Sequence, residues 1–155
     1  MTAVHIVPFD NALHRSDVIA LWRTSFGYDT AHNEPSLVID TKLAMKDDLL
    51  FVAVLTGDRV DDAVVGTAMA GYDGHRGWLY SVAVSPEHRQ SGIGRQLVMH
   101  AEQALSGRGC RKINLQLIQS NAAVAAFYES MGYAVEPRIS MGKLVGADMQ
   151  VTHPS

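Results

Sequence analysis

A chain of 155 residues, 47% apolar and 19% charged, is long enough for one domain with a mixed-layer core and too apolar for a disordered segment. Thirteen Lys and Arg against 16 Asp and Glu give a formal net charge of -3, so no basic field recommends nucleic acid as a partner. A lone cysteine, Cys110, excludes an intramolecular disulfide or a cysteine-built metal site, and no apolar run is long enough to span a membrane. The first residues lack the basic-then-apolar pattern of a signal peptide, and the expectation is a cytoplasmic protein.

Residues 4–8 read as a short edge strand ended by Pro8. Ser16 and Asp17 are a capping start for a helix that carries Val18, Ile19, Leu21, Trp22 and Phe26 and stops at Gly27. Residues 28–33 are a polar loop, and Pro35 opens a second helix that runs to about Lys46. The run 49–55, Leu-Leu-Phe-Val-Ala-Val-Leu, has the near-continuous apolarity of a strand buried on both faces. Gly57-Asp58 starts a turn. In the next strand, 64–72, Gly66 and Gly71 suggest a bulge or a close backbone approach. Residues 73–77 reverse tightly into a strand over 78–84. A helix over 95–105 follows, stopped by Ser106-Gly107-Arg108-Gly109. Cys110, just before an apolar strand, reads as a buried small hydrophobe. Ile113, Leu115 and Leu117 alternate along a half-buried strand over 112–117. Ser120-Asn121 caps a helix over 122–131 with Gly132 at its end, and two last strands over 133–135 and 140–145 are split by Pro137. Seven strands in two runs and four helices predict an α/β (α+β) sandwich around one mixed sheet.

The informative stretch is Val84-Ser-Pro86-Glu-His-Arg89-Gln90-Ser91-Gly92-Ile93-Gly94-Arg95. Strand, glycine-bearing turn and helix start follow one another closely. Such a turn leaves several backbone N–H groups without intrahelical partners at the positive end of the helix dipole. Glycines there let an anion approach the backbone. A Walker loop would need Gly-Lys-Ser/Thr, where Arg95 and Gln96 stand; a dinucleotide fingerprint would need a third glycine, where Leu97 stands. Both are excluded, which leaves a phosphate-binding turn of another kind or an ordinary turn between strand and helix. A second stretch, Asn121-Ala-Ala-Val-Ala-Ala-Phe127-Tyr128-Glu129-Ser-Met-Gly132-Tyr133, reads by itself as a capped amphipathic helix ending at glycine.

Together the two stretches resemble the signatures of the GCN5-related N-acetyltransferases (GNAT), in that family's order and spacing. The likeness is close over residues 50–144 and covers the first two helices in outline. Residues 71–77 and 109–116 look specifically like the YpeA-like bacterial acetyltransferases. The resemblance implies a single GNAT domain over 1–155 with its acetyl-CoA-binding core at about 78–133. The fold it implies is a twisted, largely antiparallel sheet of six to seven strands with about four helices on both faces. It also implies acetyl-CoA as cosubstrate. The pantetheine would run along Val82, Ala83 and Val84, the pyrophosphate would lie on the turn 89–95 (Arg89, Gln90, Ser91, Gly92, Ile93, Gly94, Arg95), and Asn121 would bond the pantetheine arm, with Phe127 and Tyr128 beside it. Tyr128 matches the family's general-acid tyrosine; a thiol pKa near ~8.5 and a phenol near ~10 suit a hydrogen bond to the departing sulfur.

An acceptor lysine, with a pKa near ~10.4, is only about one part in a thousand neutral at pH 7 and needs a base. The family's usual glutamate positions hold Trp78 and Gln116 here. The remaining candidates are His75, Tyr80, Asp73, Asp29, His32 and Glu34. Tyr28, Asp29, His32, Tyr72 and Asp73 are the expected acceptor-side residues, and the acidic ones would suit a cationic amine. An α-amino group, with a pKa near ~8, would need less help. The expected partners are therefore acetyl-CoA and an amine acceptor, with no nucleic acid or membrane; a homodimer is open. No His-x-x-x-His or His-Glu-x-x-His pair exists among the seven histidines, so no metal is expected. The competing reading is an acyl-CoA-binding sensor that kept the pocket and lost catalysis; an enzyme using another acyl-CoA is a third.

Overall fold

The computed structural model describes residues 3–27, 31–56 and 63–146. The chain divides into two compact units, up to residue 116 and from residue 117 onward.

The first unit begins with strand β1 (Ala3–Pro8) and helix α1 (Asn11–Phe26). The helix starts earlier than Ser16, because Asp10 caps it: its Oδ1 accepts from the N–H groups of Ala12 (2.9 Å) and Leu13 (3.1 Å). The Asp10 N–H in turn donates to Nδ1 of the buried His14 (2.9 Å), which closes the cap reciprocally. Gly27, in the left-handed region at φ 55°, stops the helix as expected. Helix α2 (Pro35–Met45) has Pro35 in its first turn and ends at Lys46, also left-handed.

Strands β2 (Leu50–Thr56), β3 (Ala63–Tyr72), β4 (Gly77–Val84) and β5 (Ile113–Asn114) complete the sheet, with helix α3 (Ile93–Ser106) between β4 and β5. The sheet runs in sequence order from β1 to β5. Its first three pairings are antiparallel and β4–β5 is parallel. Five strands are assigned among the described residues, against the six to seven expected. The run expected over 112–117 pairs only at Ile113 and Asn114, and 133–135 and 140–145 form no strand.

β2 is buried from Leu50 to Val54, as an apolar run of that length requires. Leu50, Val52 and Val54 join Val18, Leu21, Trp22 and Ile39 of α1 and α2 on one face; Ala53 joins Val65, Ala68, Ile93 and Leu97 on the α3 face. At Gly66 α3 comes close to the sheet: a Cβ there would lie 2.8 Å from Leu97 Cδ1 and 3.0 Å from the Ala83 carbonyl. Beside it the β2–β3 register shifts between Ala53 and Val54. Cys110 is half-buried rather than buried, its Sγ where a Cβ on Gly77 would fall.

The second unit holds helix α4 (Ala122–Glu129). It is shorter than the 122–131 expected because residues 130–132 turn out of it, with Gly132 at φ 97°. No helix among the described residues is long and apolar enough to cross a membrane.

Candidate active site

β4 is built differently along its length. At its start Gly77 and Trp78 pair with Tyr72 and Gly71 of β3 on one edge and with Ile113 and Asn114 of β5 on the other. From Leu79 to Val84 no described strand pairs with the second edge. Within this stretch the strand is bulged. Met69 faces Tyr80 and Thr67 faces Ala83, so Ser81 and Val82 together oppose the single residue Ala68. Ser81 sits at φ 50°, which side-chain-bearing residues rarely adopt. Sequence reading missed this bulge; its one trace is a polar serine inside the run 78–84.

Beyond Val84, Pro86 ends the pairing and opens a one-turn 3-10 helix, Pro86–His88. The turn is tied internally. Ser85 Oγ and His88 Nδ1 lie 2.8 Å apart, Arg89 Nε donates to the Val84 carbonyl (3.1 Å), and Ser91 Oγ donates to the His88 carbonyl (2.5 Å). Gln90 (φ 64°) and Gly92 (φ 85°) are left-handed, which curls successive backbone N–H groups into a concavity. Gly92 is the N-cap of α3 and open space lies where its Cβ would be. No side chain caps this helix and no acidic residue occupies its first turn, while the first intrahelical bond is that of Gln96 to the Gly92 carbonyl (3.0 Å). The N–H groups of Ile93, Gly94 and Arg95 therefore have no intrahelical acceptor. Ile93 and Leu97 are buried against the sheet and fix the helix start beside β4. The turn thus presents backbone N–H groups with the exposed Arg89 and Arg95 beside them, an arrangement whose chemistry suits an anion.

Tyr72, Asp73, His75 and Tyr80 lie where β3 meets β4. Asp73 Oδ1 accepts from the N–H groups of His75 (2.8 Å) and Arg76 (2.7 Å) and so builds the reversal; those bonds hold its carboxyl below the usual range. His75 is exposed on that turn, and Tyr72 donates its hydroxyl to the Gly74 carbonyl (3.4 Å). Tyr80 Cε2 lies 3.6 Å from where a Cβ on Gly71 would fall, and the Tyr80 phenol is pushed up by burial and then by the Asp73 charge. Lys42 is held by Asp47 Oδ2 (2.8 Å) and by the Ala70 carbonyl. A cleft of about 300 Å³ opens between α2 and β3, lined by His32, Leu37, Val38, Thr41, Lys42, Met45 and Met69. Glu34 caps α2 through Leu37 N–H (3.1 Å) and pairs with Arg23 (3.1 Å). Partial burial works against its ionised form, but hydrogen bonds from Ser36, Leu37 and Arg23 prevail and lower its pKa. Asp73 and Glu34 are thus weak bases occupied in structure. Tyr28 and Asp29 lie outside the described residues. No group of three or more His, Cys, Asp or Glu able to hold a metal occurs among the described residues.

In the second unit, Asn121 stands at the N-cap of α4 and makes no side-chain capping bond, contrary to the sequence expectation. Tyr128 is 6% exposed, with the rings of Phe127 (5.0 Å) and Tyr133 (5.7 Å) edge-on to it. Burial pushes its phenol up to about 12.

A five-stranded mixed sheet among the described residues, with a bulged β4 that runs through a glycine-bearing turn into α3, defines a mixed α/β fold. The sequence model of the acetyltransferase (GNAT) family matches residues 15–133, and the chain belongs to that family. An acetyltransferase of Yersinia enterocolitica is 36% identical over 118 residues, 76% of this chain and 80% of its own length. One of Sodalis glossinidius is 37% identical over 135 residues, 86% of this chain and 91% of its own. The structure of AAC(6')-Iy in complex with the bisubstrate analogue CoA-S-monomethyl-acetylneamine shares the fold, with a TM-score of 0.69 at 17% identity over 93% of this chain and 99% of that one.

Proposed function

We propose that this protein is an acetyl-CoA-dependent N-acetyltransferase that passes the acetyl group directly to a primary amine within a ternary complex. The observation that carries the reading is the backbone-lined turn 89–95 at the end of a bulged, half-open β4. It suits a ligand with a pyrophosphate at one end and an amide-bearing arm that can pair along a strand edge. Acetyl-CoA would supply the activated thioester. Val82–Val84 would bind the arm, the turn would hold the pyrophosphate, and Asn121, whose side chain does not cap α4, would bond the arm. Tyr128, kept protonated by burial, would give its proton to the departing sulfur.

The acceptor would enter from the α2 side, past Tyr80 and the cleft that reaches Met69. Tyr80 is an unsuitable base, since both influences on it disfavour the phenolate. With Asp73 and Glu34 occupied as well, an α-amino group or another amine of low pKa is the acceptor this site serves most readily. The same occupied carboxylates favour a second reading, an acyl-CoA-binding module without turnover.

Calorimetric titration with acetyl-CoA, CoA and a longer acyl-CoA, run beside a thiol-release assay over an amine and peptide panel, separates the two. Binding with thiol release on some amine is the expected result and names the acceptor class. Binding without release from any acceptor favours the silent module. Absence of binding overturns the assignment of the turn.

A further inference from the structure

The bulge in β4 is held from behind by a buried chain of two hydrogen bonds. Trp22 Nε1 donates to Thr67 Oγ1 (2.9 Å), and Thr67 Oγ1 donates to the Ser81 carbonyl (2.8 Å). Trp22 and Thr67 are both 0% exposed, so water cannot stand in for either partner. The directions of these bonds are not free. An indole N–H can only donate and a carbonyl can only accept, so the hydroxyl must receive from Trp22 and commit its own hydrogen to Ser81.

The Ser81 carbonyl belongs to the peptide that also carries the Val82 N–H. A trans peptide is planar and its C=O and N–H point in opposite directions. Drawing the carbonyl toward Thr67 therefore turns the Val82 N–H away from Thr67 and from β3, toward the side of β4 that no described strand occupies. Ser81 and Val82 are the two residues that oppose Ala68 alone, so the regular ladder does not fix this peptide's orientation. The left-handed φ of Ser81 is a conformation the surroundings must impose, and the Thr67 bond is a contact able to impose it.

We propose that Thr67, with its hydroxyl oriented by Trp22, is a positioning residue that aims the Val82 N–H at the thioester carbonyl of the acyl donor. The inference rests on the acetyltransferase reading above. Thr67 touches no reacting atom; it acts through the Ser81–Val82 peptide. The Val82 N–H is the group that polarises the carbonyl, and a preoriented donor of this kind spends nothing on reorganisation when charge develops on oxygen.

The test needs no acceptor. Acetyl-CoA labelled with 13C at the acetyl carbonyl is bound to the wild type, Thr67→Val, Thr67→Ser and Trp22→Phe, and the carbonyl resonance is compared with that of free acetyl-CoA. CoA affinity and melting temperature are measured alongside. In the wild type the resonance should move downfield, the signature of a polarised carbonyl. Thr67→Val, nearly isosteric but unable to donate, should lose most of that displacement while CoA affinity stays within about threefold. Thr67→Ser should restore it. Trp22→Phe frees the hydroxyl to rotate and should show a reduced displacement; it carries the test if Thr67→Val does not fold. Full displacement in folded Thr67→Val, or in Trp22→Phe where that variant alone folds, overturns the proposal. So does equal loss of CoA and acetyl-CoA affinity in Thr67→Val, which would mark a purely structural threonine. A wild type that binds no acetyl-CoA overturns the acetyltransferase reading itself, and the relay with it, before any variant is compared.

Discussion

The two ends of β4 do different work with different parts of the chain. At Gly77 and Trp78 the strand has neighbours on both edges, and the polar side chains around it are engaged: Asp73 in the reversal, Lys42 with Asp47 and the Ala70 carbonyl. At Val82–Val84 and the turn beyond, no described strand pairs with the second edge, and what the chain presents are backbone N–H groups beside the left-handed Ser81, Gln90 and Gly92. A site made of backbone depends on conformation and tolerates many side chains; a site made of side chains depends on which of them are free. The first kind is robust to substitution except where φ is positive, and that is where it should be broken.

The largest effect should come from Gly92→Val. At φ 85° a β-branched residue cannot keep the turn, and its methyl groups would fill the open space over the N–H groups of α3. CoA binding should fall by about 100-fold or more, with the fold retained by circular dichroism. Unchanged affinity in calorimetry would mean that the pyrophosphate lies elsewhere.

A smaller effect is expected of Tyr128→Phe, which asks whether any side chain enters the chemical step. Turnover should drop about 100-fold while acetyl-CoA affinity is kept. The pH dependence of stability gives a second readout. The folded pKa of about 12 lies above the unfolded value near ~10. The neutral phenol's contribution is therefore complete below pH 10 and is lost as pH climbs from about 10 through 12. The wild-type melting temperature should fall over that window, and that of Tyr128→Phe should fall less. Parallel curves would show that Tyr128 ionises in the folded protein as readily as in the unfolded one.

The same contrast explains how much the sequence discloses. The turn between β4 and α3 is legible because Pro86 ends a strand and a left-handed glycine, Gly92, opens the helix, and β2 because burial on both faces leaves no polar position. Pro35 announced α2. The start of α1 was misread because its first turn carries no apolar stripe, Leu13 being 74% exposed, so the spacing becomes helical only from Val18. The strands expected at 133–135 and 140–145 show the opposite failure. Val135, Met141 and Val145 have the apolarity of a strand but are 85%, 90% and 77% exposed, since alternation specifies a face and not a partner. Trp22, Thr67 and Ser81 are far apart in sequence and meet only through the β3–β4 register and the packing of α1 on the sheet, so a threonine in an apolar strand reads there as one more β-branched residue.

The mildest test is Asp73→Asn, at the side-chain end of β4. An asparagine carbonyl can still accept from the His75 and Arg76 N–H groups, so the reversal should survive and only the charge should go. Tyr80 is raised first by its own burial, which the substitution leaves in place, and second by the Asp73 charge, which it removes. An ultraviolet titration of the tyrosines should therefore find one phenol ionising at a modestly lower pH than in the wild type, while CoA affinity, proposed to be set at the other end of the strand, should stay the same. A change in CoA affinity would join the two ends that their construction separates. An unmoved phenol would mean that Asp73 is felt only by the turn it builds, leaving burial alone to keep Tyr80 protonated.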